Sequence, residues 1–489
     1  MDNAMADLTL DPANWTKIRE LGHLMIDDMI DYLQHIKDAP VWTQMPNEAK
    51  EFLKSQVPRQ PQNTEAIYND FKKYILPYNT GNIHPRFFAW VQGTGTPFSV
   101  LAEMLAATMN PNVTIGEHAP MYVDKQVVEW CKELVNFPKS ASGILMSGAS
   151  MANITALTVA RDFQLGMNVR NNGVHSSGKQ MVLYCSSETH SCVQKAAELI
   201  GIGTSAVRSI EVNEQFMIDI PKLIISIEED LTNHLLPFCI VGNAGTVNTG
   251  AIDPLEELAI IAKKYNLWFH IDGAFGALAK LVPEYSEKLK AIENCDSIAF
   301  DLHKWMYLPY EIGCALIKNP TAHRNSFAVT PEYLANEERG LAGGPDPISN
   351  FGPELSRGFK ALKVWMSLKE HGLDKYTQMI RQNIAQAFYL ASIINASTQL
   401  ELLAEVTLNI VCYRYVDKSI PGNQLNQLNK EILIQLQEQG IAAPSSTILN
   451  DLFAIRVCIV NQRSKSSDFN LLASETIRIG NHLITQYKN

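Results

Sequence analysis

The sequence predicts an α/β fold with a central, mainly parallel sheet flanked by helices. We expect an N-terminal helical arm over residues 1–85 and a small C-terminal α+β domain over residues 376–489. Three observations support this prediction. Residues 86–375 alternate short β-rich runs with helical stretches, as βαβ units do. The first 85 residues show helical spacing, and the last 110 or so mix helical and strand-like runs.

The N-terminal arm is predicted from the segment "IRELGHLMIDDMIDYLQHI", whose apolar residues recur at helical spacing. Pro58 and Pro61 interrupt the helical pattern after it. An arm of this kind has little core of its own. We therefore expect it to pack against another chain or domain.

The large domain, residues 86–375, is predicted from runs such as "QMVLYCSS" followed by "HSCVQKAAELIG", and "FCIVGNAG" followed by "DPLEELAIIAKKYN". In such sheets, ligands bind beyond the carboxyl ends of strands, so the residues just after each apolar run are the candidates for a site. Residues 330–354 contain several glycines and prolines and are predicted to be a long mobile loop. The runs "NIVCYRYV" and "LFAIRVCIV" predict strands of the C-terminal domain.

Composition excludes several classes of protein. The formal net charge is −10 and no long Lys/Arg run is present, which argues against nucleic-acid binding and favours a small-molecule partner. No stretch approaches the roughly 20 apolar residues of a membrane span, and the N-terminus resembles no signal peptide. The eight cysteines are dispersed without a CxxC pair, which favours reduced thiols over disulfides or a metal site. We expect a soluble, cytoplasmic protein without a metal.

Two strand-end residues suggest the chemistry. Lys304, in "FDLHKWMYLP", is either a solvated lysine at a strand edge or a desolvated amine that could form a Schiff base with an aldehyde cofactor. Asp272 ends the run "FHID" and is either a turn residue or a carboxylate that keeps a pyridinium nitrogen protonated. Neither residue alone distinguishes a structural role from a catalytic one.

Three other strand-end segments have similar status. His190 lies where a strand gives way to a helix, and it is either a capping or core residue or a ring stacked on a cofactor. Gly148, Ala149 and Ser150 open a helical pattern, where backbone N–H groups and a hydroxyl could bind phosphate. Thr246 is either a turn threonine or a hydroxyl beside the cofactor.

Together these segments resemble a known family. "IHPRFFAW", "SGAS", "ETHSCVQKA", "HIDGAFG", "HKW" and "TPEYL" occur in this order and resemble the group II pyridoxal phosphate-dependent amino acid decarboxylases, especially the aromatic-L-amino-acid decarboxylase branch. The resemblance covers about residues 10–485. It implies a fold-type I enzyme that binds pyridoxal 5'-phosphate and acts as a homodimer, with its active site at the subunit interface.

The resemblance also implies a role for each site residue. Lys304 would carry the cofactor and Tyr333, in the mobile loop, would return a proton to the substrate carbon. Asp272 would bind the ring nitrogen, whereas His190 and Ala274 would flank the ring. The remaining cofactor contacts would be Ala149, Ser150, Thr246 and His303.

The segments around the expected substrate pocket depart from the aromatic-specific pattern. The candidate pocket residues are Trp90, Gln92, Gly93, Asn112, Thr114 and His118. Several of them are more polar than their counterparts in the aromatic-specific enzymes, so a more polar L-amino acid remains an alternative to an aromatic one. Asp301 stands where the family has an asparagine, and a carboxylate there cannot donate a hydrogen bond to phosphate.

Other functions would use some of the same sequence features. "GIGTSA", residues 201–206, fits a dinucleotide-binding pattern but follows a helical segment, so its glycines are better explained as a helix end. An oxygen-using aldehyde synthase, an aminotransferase or another lyase could use the same cofactor, although Tyr333 favours simple decarboxylation. A non-catalytic relative would be expected to have lost Lys304 or Asp272, and both are present.

Overall fold

The computed structural model describes residues 8–166, 168–329, 337 and 339–487. Two sheets organise this part of the chain. The larger has seven strands in the order β2-β8-β7-β6-β5-β3-β4, and the smaller has five in the order β1-β11-β12-β10-β9. The strands are β1 Phe87–Phe88, β2 Ser142–Met146, β3 Met181–Ser186, β4 Val207–Ile210, β5 Leu236–Asn243, β6 Trp268–Asp272, β7 Ser297–Asp301, β8 Gly313–Ile317, β9 Leu400–Leu402, β10 Ile410–Tyr415, β11 Ala443–Leu449 and β12 Leu452–Cys458.

Helices precede, connect and follow these strands. The α-helices are α1 Trp15–His35, α2 Asn47–Phe52, α3 Thr64–Tyr74, α4 Pro97–Met109, α5 Ala119–Leu134, α6 Ala149–Leu165, α7 Val169–Asn172, α8 Cys192–Leu199, α9 Ile220–Thr232, α10 Leu255–Tyr265, α11 Pro283–Ser286, α12 Leu302–Trp305, α13 Pro320–Phe327, α14 Ala361–His371, α15 Leu373–Ala396, α16 Gly422–Glu438 and α17 Ser466–Tyr487. None of the helices in the described ranges is both long enough and apolar enough to cross a membrane.

The seven-stranded sheet is mainly parallel, as predicted. Strands β4, β3, β5, β6 and β7 form parallel pairs, while β8 runs antiparallel to both β7 and β2. Consequently β2 points the same way as the parallel strands, and the carboxyl ends of β2, β3, β5, β6 and β7 meet at one edge. This edge is where the predicted site residues lie.

The local sequence explains why these elements form. Every residue of β3 is buried, which is typical of a strand covered by helices on both faces. Leu183 packs in a cluster with α6 and α8, whereas Tyr184 packs in a second cluster with helices such as α9 and α10. Helix α4 begins with Thr96 and Ser99 in a reciprocal capping box. The "GIGTSA" segment follows α8 and ends in a single 3₁₀ turn, so it does not open a helix as a dinucleotide site would require.

The five-stranded sheet packs against α15, α16 and α17 around a separate apolar cluster. Its edge strand β1 comes from a distant part of the sequence and pairs in parallel with β11, through Phe87 opposite Ala443. The chain therefore contributes to the second sheet before it enters the seven-stranded one. All eight cysteines are buried, and none is in a disulfide bond.

Candidate active site

A cavity of about 380 Å³ lies at the edge where the strands of the large sheet end. Most of the predicted cofactor-binding residues line it, namely Ala149, Ser150, His190, Asp272, Ala274, His303 and Lys304. They end or follow four strands of the sheet, β2, β3, β6 and β7, and the shared strand direction brings them together. The sequence prediction of a ligand site at strand ends is consistent with this arrangement.

Lys304 is on the short helix α12, three residues after β7. Its Nζ lies 3.1 Å from Asp301 Oδ2, and its side chain is 22% exposed against 4% for the aspartate. Burial alone would lower the pKa of Lys304, but the charge and hydrogen bond of Asp301, followed by the charge of Asp272, outweigh it and raise the pKa. Lys304 is therefore a partly buried, ion-paired amine that faces the cavity.

Asp301 connects Lys304 to the start of helix α6. Its Oδ1 accepts a 2.6 Å hydrogen bond from the backbone N–H of Ala149, while Oδ2 faces Lys304. His303 Nε2 lies 3.6 Å from the same Oδ2, and His303 Nδ1 accepts from the backbone N–H of Ile312 at 3.1 Å. Burial lowers the pKa of His303. Asp301 thus joins the lysine to the helix start at which phosphate binding is predicted.

Asp272 is held firmly at the end of β6. Its Oδ1 accepts from the backbone N–H of Ala274 at 3.0 Å, and its Oδ2 accepts from Asn153 Nδ2 at 3.1 Å. Burial raises the pKa of Asp272, and the positive charge of Lys304 opposes this effect. The carboxylate therefore has a fixed orientation toward the cavity.

His190 and Ala274 both line the cavity. Nδ1 of His190 accepts from the backbone N–H of Cys192 at 3.2 Å, so a neutral ring carries its proton on Nε2. Although the ring is exposed on its cavity side, desolvation by its surroundings lowers the pKa of His190. A neutral, flat imidazole in this position can stack on an aromatic ring.

These residues fit pyridoxal phosphate. Helix α6 is 17 residues long, and Ser150 in its first turn exposes its side chain beside the buried Ala149. A Cβ on Gly148 would lie 3.4 Å from Asp301 Oδ1 and His303 Cε1, so both side chains border this helix start at van der Waals distance. The amine, carboxylate, imidazole and helix N-terminus are the groups that the aldehyde, ring nitrogen, ring face and phosphate of this cofactor require.

Thr246 is not brought to the cavity, although its neighbours Gly245 and Val247 line it. Its hydroxyl lies 3.1 Å from that of Thr249 and accepts a 3.1 Å hydrogen bond from the backbone N–H of Ala251. In this structure its observed contacts therefore shape the turn after β5.

The six predicted substrate-pocket residues divide into two groups. Trp90 and Gln92 line the cavity. Gly93 does not line it, and a Cβ there would lie 2.5 Å from the carbonyl oxygen of His303, so glycine allows a close approach of two backbones.

Asn112, Thr114 and His118 lie away from the cavity wall. Asn112 Oδ1 accepts from the backbone N–H of Arg357 at 2.9 Å, and the Thr114 hydroxyl donates to the carbonyl oxygen of Leu355. His118 Nε2 lies 3.3 Å from the carbonyl oxygen of Ile115. Asn112 and Thr114 therefore form hydrogen bonds that hold residues 355–357, the segment just after the predicted 330–354 loop. Tyr333 lies outside the described residues.

Three residues that sequence reasoning did not single out belong to the site or its support. Tyr310 and Arg456 line the cavity, and Asn153 binds Asp272. Arg456 is 5% exposed, and its guanidinium donates to the carbonyl oxygens of Ala89, Val247 and Asn248. A charged residue within the apolar run "LFAIRVCIV" was the available signal for Arg456.

Comparisons with known proteins agree with this geometry. The pyridoxal-dependent decarboxylase conserved domain matches residues 46–416. Aromatic-L-amino-acid decarboxylase from Bacillus atrophaeus is 32% identical over 456 residues, which cover 92% of this chain and 93% of that protein.

Two solved structures share the fold. Oryza sativa TDC, solved with PLP and tryptamine, superposes with a TM-score of 0.89 at 22% identity, covering 97% of this chain and 100% of that one. Rhodiola rosea 4-hydroxyphenylacetaldehyde synthase gives a TM-score of 0.85 at 25% identity, covering 96% and 99%. The protein belongs to the pyridoxal-dependent decarboxylase family, and it is a pyridoxal phosphate-dependent amino acid decarboxylase.

Proposed function

We propose that the substrate is an aromatic L-amino acid, which the enzyme converts to the corresponding amine and carbon dioxide. The observation that carries this proposal is the lining of the cavity that contains Lys304 and Asp272. Trp90, Val91 and Tyr310 contribute two aromatic rings and an aliphatic side chain to it. The name of the Bacillus atrophaeus relative supports the same class of substrate.

When bound, pyridoxal phosphate supplies an electron sink for the electrons released by loss of carbon dioxide. Lys304 would hold the cofactor through its aldehyde carbon, and the carboxylate of Asp272 would keep a proton on the ring nitrogen. His190 and Ala274 flank the ring. His303 also lines the cavity, and because its Nδ1 accepts a hydrogen bond, the Nε2–H of its neutral ring would assist in binding the phosphate.

Ala149 and Ser150, at the start of α6, provide the other phosphate contacts. Thr246 acts on the cofactor through the turn that it stabilises, whose neighbouring residues line the cavity. Tyr333, which lies outside the described residues, would return a proton to the substrate α-carbon, and closure of the predicted 330–354 loop would exclude water.

A more polar L-amino acid is the second candidate substrate. Gln92 and the buried guanidinium of Arg456 give the same cavity a polar side. The Arg456 guanidinium donates to carbonyl and hydroxyl oxygens, which are uncharged, so a carboxylate on the substrate side chain would complement its charge. The substrate panel described below distinguishes the two candidates.

We also propose that the enzyme is a cytoplasmic homodimer with its active site at the subunit interface. Helices α1 and α4 expose large apolar side chains, including Trp15, Leu24, Phe98 and Met104, which a second subunit would cover. Asn112 is exposed and His118 is partly exposed, so a second subunit could reach both, whereas Thr114 is buried within this chain. The eight cysteines without disulfides support the cytoplasmic location.

The proposed domains are the arm at 1–85, the cofactor-binding domain at 86–375 and the small domain at 376–489. The separate apolar cluster around the five-stranded sheet supports a distinct small domain. Strand β1 would then be a segment of the large domain that pairs with the small one.

The test is a decarboxylation assay on the purified holoenzyme. Evolved carbon dioxide and the amine product are measured for a panel that includes tyrosine, tryptophan, phenylalanine, glutamate and 2,4-diaminobutyrate. We expect activity with an aromatic member, a visible cofactor absorption band that borohydride abolishes, and neither in Lys304→Ala. Preference for an acidic or basic substrate would refute the aromatic proposal and favour the polar one.

Tyr333→Phe tests the outcome of the reaction. We expect this variant to yield less amine and more aldehyde and peroxide, because the proton donor at the α-carbon is lost. Unchanged products would remove Tyr333 from this role. Aldehyde from the wild-type enzyme would instead favour the activity named for the Rhodiola rosea structure.

A further inference from the structure

Behind Asp272, four polar side chains form a continuous hydrogen-bonded chain into the protein interior. Asn153 Nδ2 lies 3.1 Å from Asp272 Oδ2, and Asn153 Oδ1 lies 2.6 Å from His270 Nε2. The chain continues from His270 Nδ1 to Ser297 Oγ at 2.8 Å and from Ser297 Oγ to Trp268 Nε1 at 2.7 Å. We call Asn153, His270, Ser297 and Trp268 the Asp272 relay.

The groups at the two ends of the relay determine the donor-to-acceptor direction of its hydrogen bonds. The ionised carboxylate of Asp272 only accepts hydrogen bonds, so Asn153 must turn its amide nitrogen toward it and its oxygen toward His270. His270 then carries its proton on Nε2, and its Nδ1 accepts from the Ser297 hydroxyl. The indole of Trp268 is a donor only, and it supplies the hydrogen bond that Ser297 accepts. Every donor in the relay therefore points toward Asp272.

Burial makes this arrangement electrostatically important. Asn153, His270 and Ser297 are completely buried, and Trp268 is 4% exposed. Burial lowers the pKa of His270 to about 3, so the ring is neutral and acts as a dipole rather than as a charge. Hydrogen bonds that are aligned head to tail in a low-dielectric interior polarise one another and strengthen the terminal bond.

The other groups near Asp272 do not replace this function. Lys304 and His190 act on it electrostatically from the cavity side, and the negative charge of Asp301 opposes ionisation. Cys192 Sγ lies 3.7 Å from Oδ2, where it can make only a weak hydrogen bond. On the protein side, the Asn153 side-chain amide donates a hydrogen bond to the carboxylate, and the other three relay residues lie behind Asn153.

We propose that the Asp272 relay is a positioning device that keeps Asp272 ionised and thereby holds the proton on the ring nitrogen of the bound cofactor. The inference rests on the proposed role of Asp272. It adds residues that do not line the cavity and lie on three different elements, α6, β6 and β7.

The test uses holoenzyme reconstituted with pyridoxal phosphate labelled with ¹⁵N in the ring, so that the nitrogen chemical shift reports ring protonation directly. His270→Leu removes the donor to Asn153, whereas His270→Gln keeps an amide donor. Ser297→Ala breaks the relay one step further away. Ser367→Ala is the control, because Ser367 is an equally buried serine that bonds to Tyr376 instead.

We expect the ring nitrogen to be protonated in the wild-type enzyme and in Ser367→Ala. In His270→Leu its signal should move toward the unprotonated value, with kcat at least tenfold lower and KM little changed. His270→Gln should recover much of both readouts, and Ser297→Ala should shift them in the same direction by less. If His270→Leu does not fold, Ser297→Ala decides the question.

An unchanged nitrogen signal in the folded relay variants would overturn the inference while leaving the role of Asp272 intact. A wild-type enzyme whose bound cofactor has an unprotonated ring nitrogen would instead refute the role of Asp272 and the relay together. The two failures are therefore distinguishable in one set of spectra.

Discussion

Asp301→Asn is the substitution whose outcome depends most directly on the site geometry. Asparagine would keep an oxygen near the backbone N–H of Ala149, to which Asp301 now bonds at 2.6 Å. It would remove the negative charge that lies 3.1 Å from Lys304 Nζ. Because this charge helps to raise the pKa of Lys304 against the effect of burial, its loss should increase the neutral fraction of the amine.

The size of the effect follows from this geometry. An opposite charge nearby generally favours the ionised form of a side chain by roughly 1–3 pKa units, and each unit changes the neutral fraction about tenfold. The side chain of Lys304 is 22% exposed, so solvent screens part of the interaction and the lower end applies. Since only the neutral amine attacks an aldehyde, we expect capture of pyridoxal phosphate to become faster by on the order of tenfold at neutral pH.

The assay is rapid mixing of the cofactor-free protein with pyridoxal phosphate, followed by visible absorbance over a range of pH. The rate profile of Asp301→Asn should move to lower pH than that of the wild type. Asp296→Asn is a matched control just before the other end of β7, where the aspartate accepts from the backbone N–H of Phe269 at 2.8 Å. If Asp301→Asn captures the cofactor at an unchanged or slower rate, the assigned role of the Asp301–Lys304 ion pair is refuted.

Three further predictions concern the fold. Gly276→Ala should destabilise the protein by about 3 kcal/mol, because the new Cβ would lie 2.0 Å from the carbonyl oxygen of Ala244. Thermal unfolding would show this as a lower midpoint temperature. Gly358→Ala is the control, because a Cβ there has nothing within 4 Å and should leave the midpoint temperature unchanged. Burial lowers the pKa of His323 from 6.5 to about 4, so the unfolded chain takes up the proton first and stability should fall as the pH drops through this interval. His323→Gln should reduce that dependence by up to about 1.4 kcal/mol per pH unit in urea titrations, and an unaltered slope would contradict the assignment. All eight thiols are buried, and all but Cys192 lie away from the cavity lining, so a thiol reagent should react with these seven only after unfolding. Fast labelling of any of these seven in the native protein would be evidence against this burial.

The sequence was sufficient for the fold class and for identifying most of the proposed cofactor-binding residues that line the cavity, because both depend on local patterns. Apolar runs predict buried strands, and in a parallel sheet the residues that follow such runs gather at one edge. Lys304, Asp272 and His190 were therefore predicted from short segments, and the structure places all three around one cavity.

The residues that could not be predicted act through contacts between distant segments. Asn153 reaches Asp272 across 119 positions, and Thr114 reaches Leu355 across 241. Arg456 enters the cavity from the five-stranded sheet, whose position relative to the first sheet no local pattern encodes. The direction of the Thr246 side chain was also not predictable from local sequence. Its neighbours line the cavity, whereas its hydroxyl stabilises a turn.

The pairing of β1 with β11 has a consequence for how this enzyme can change. Trp90 and Gln92 directly follow β1, and Arg456 lies on β12, so these parts of the cavity wall are anchored to the five-stranded sheet. Lys304 and Asp272 are anchored to the seven-stranded sheet. The cavity thus lies between two frameworks, the five-stranded sheet and the seven-stranded sheet. Mutations in one framework can alter which side chain of a substrate is accommodated while the other continues to hold the cofactor, so specificity can diverge without rebuilding the catalytic centre.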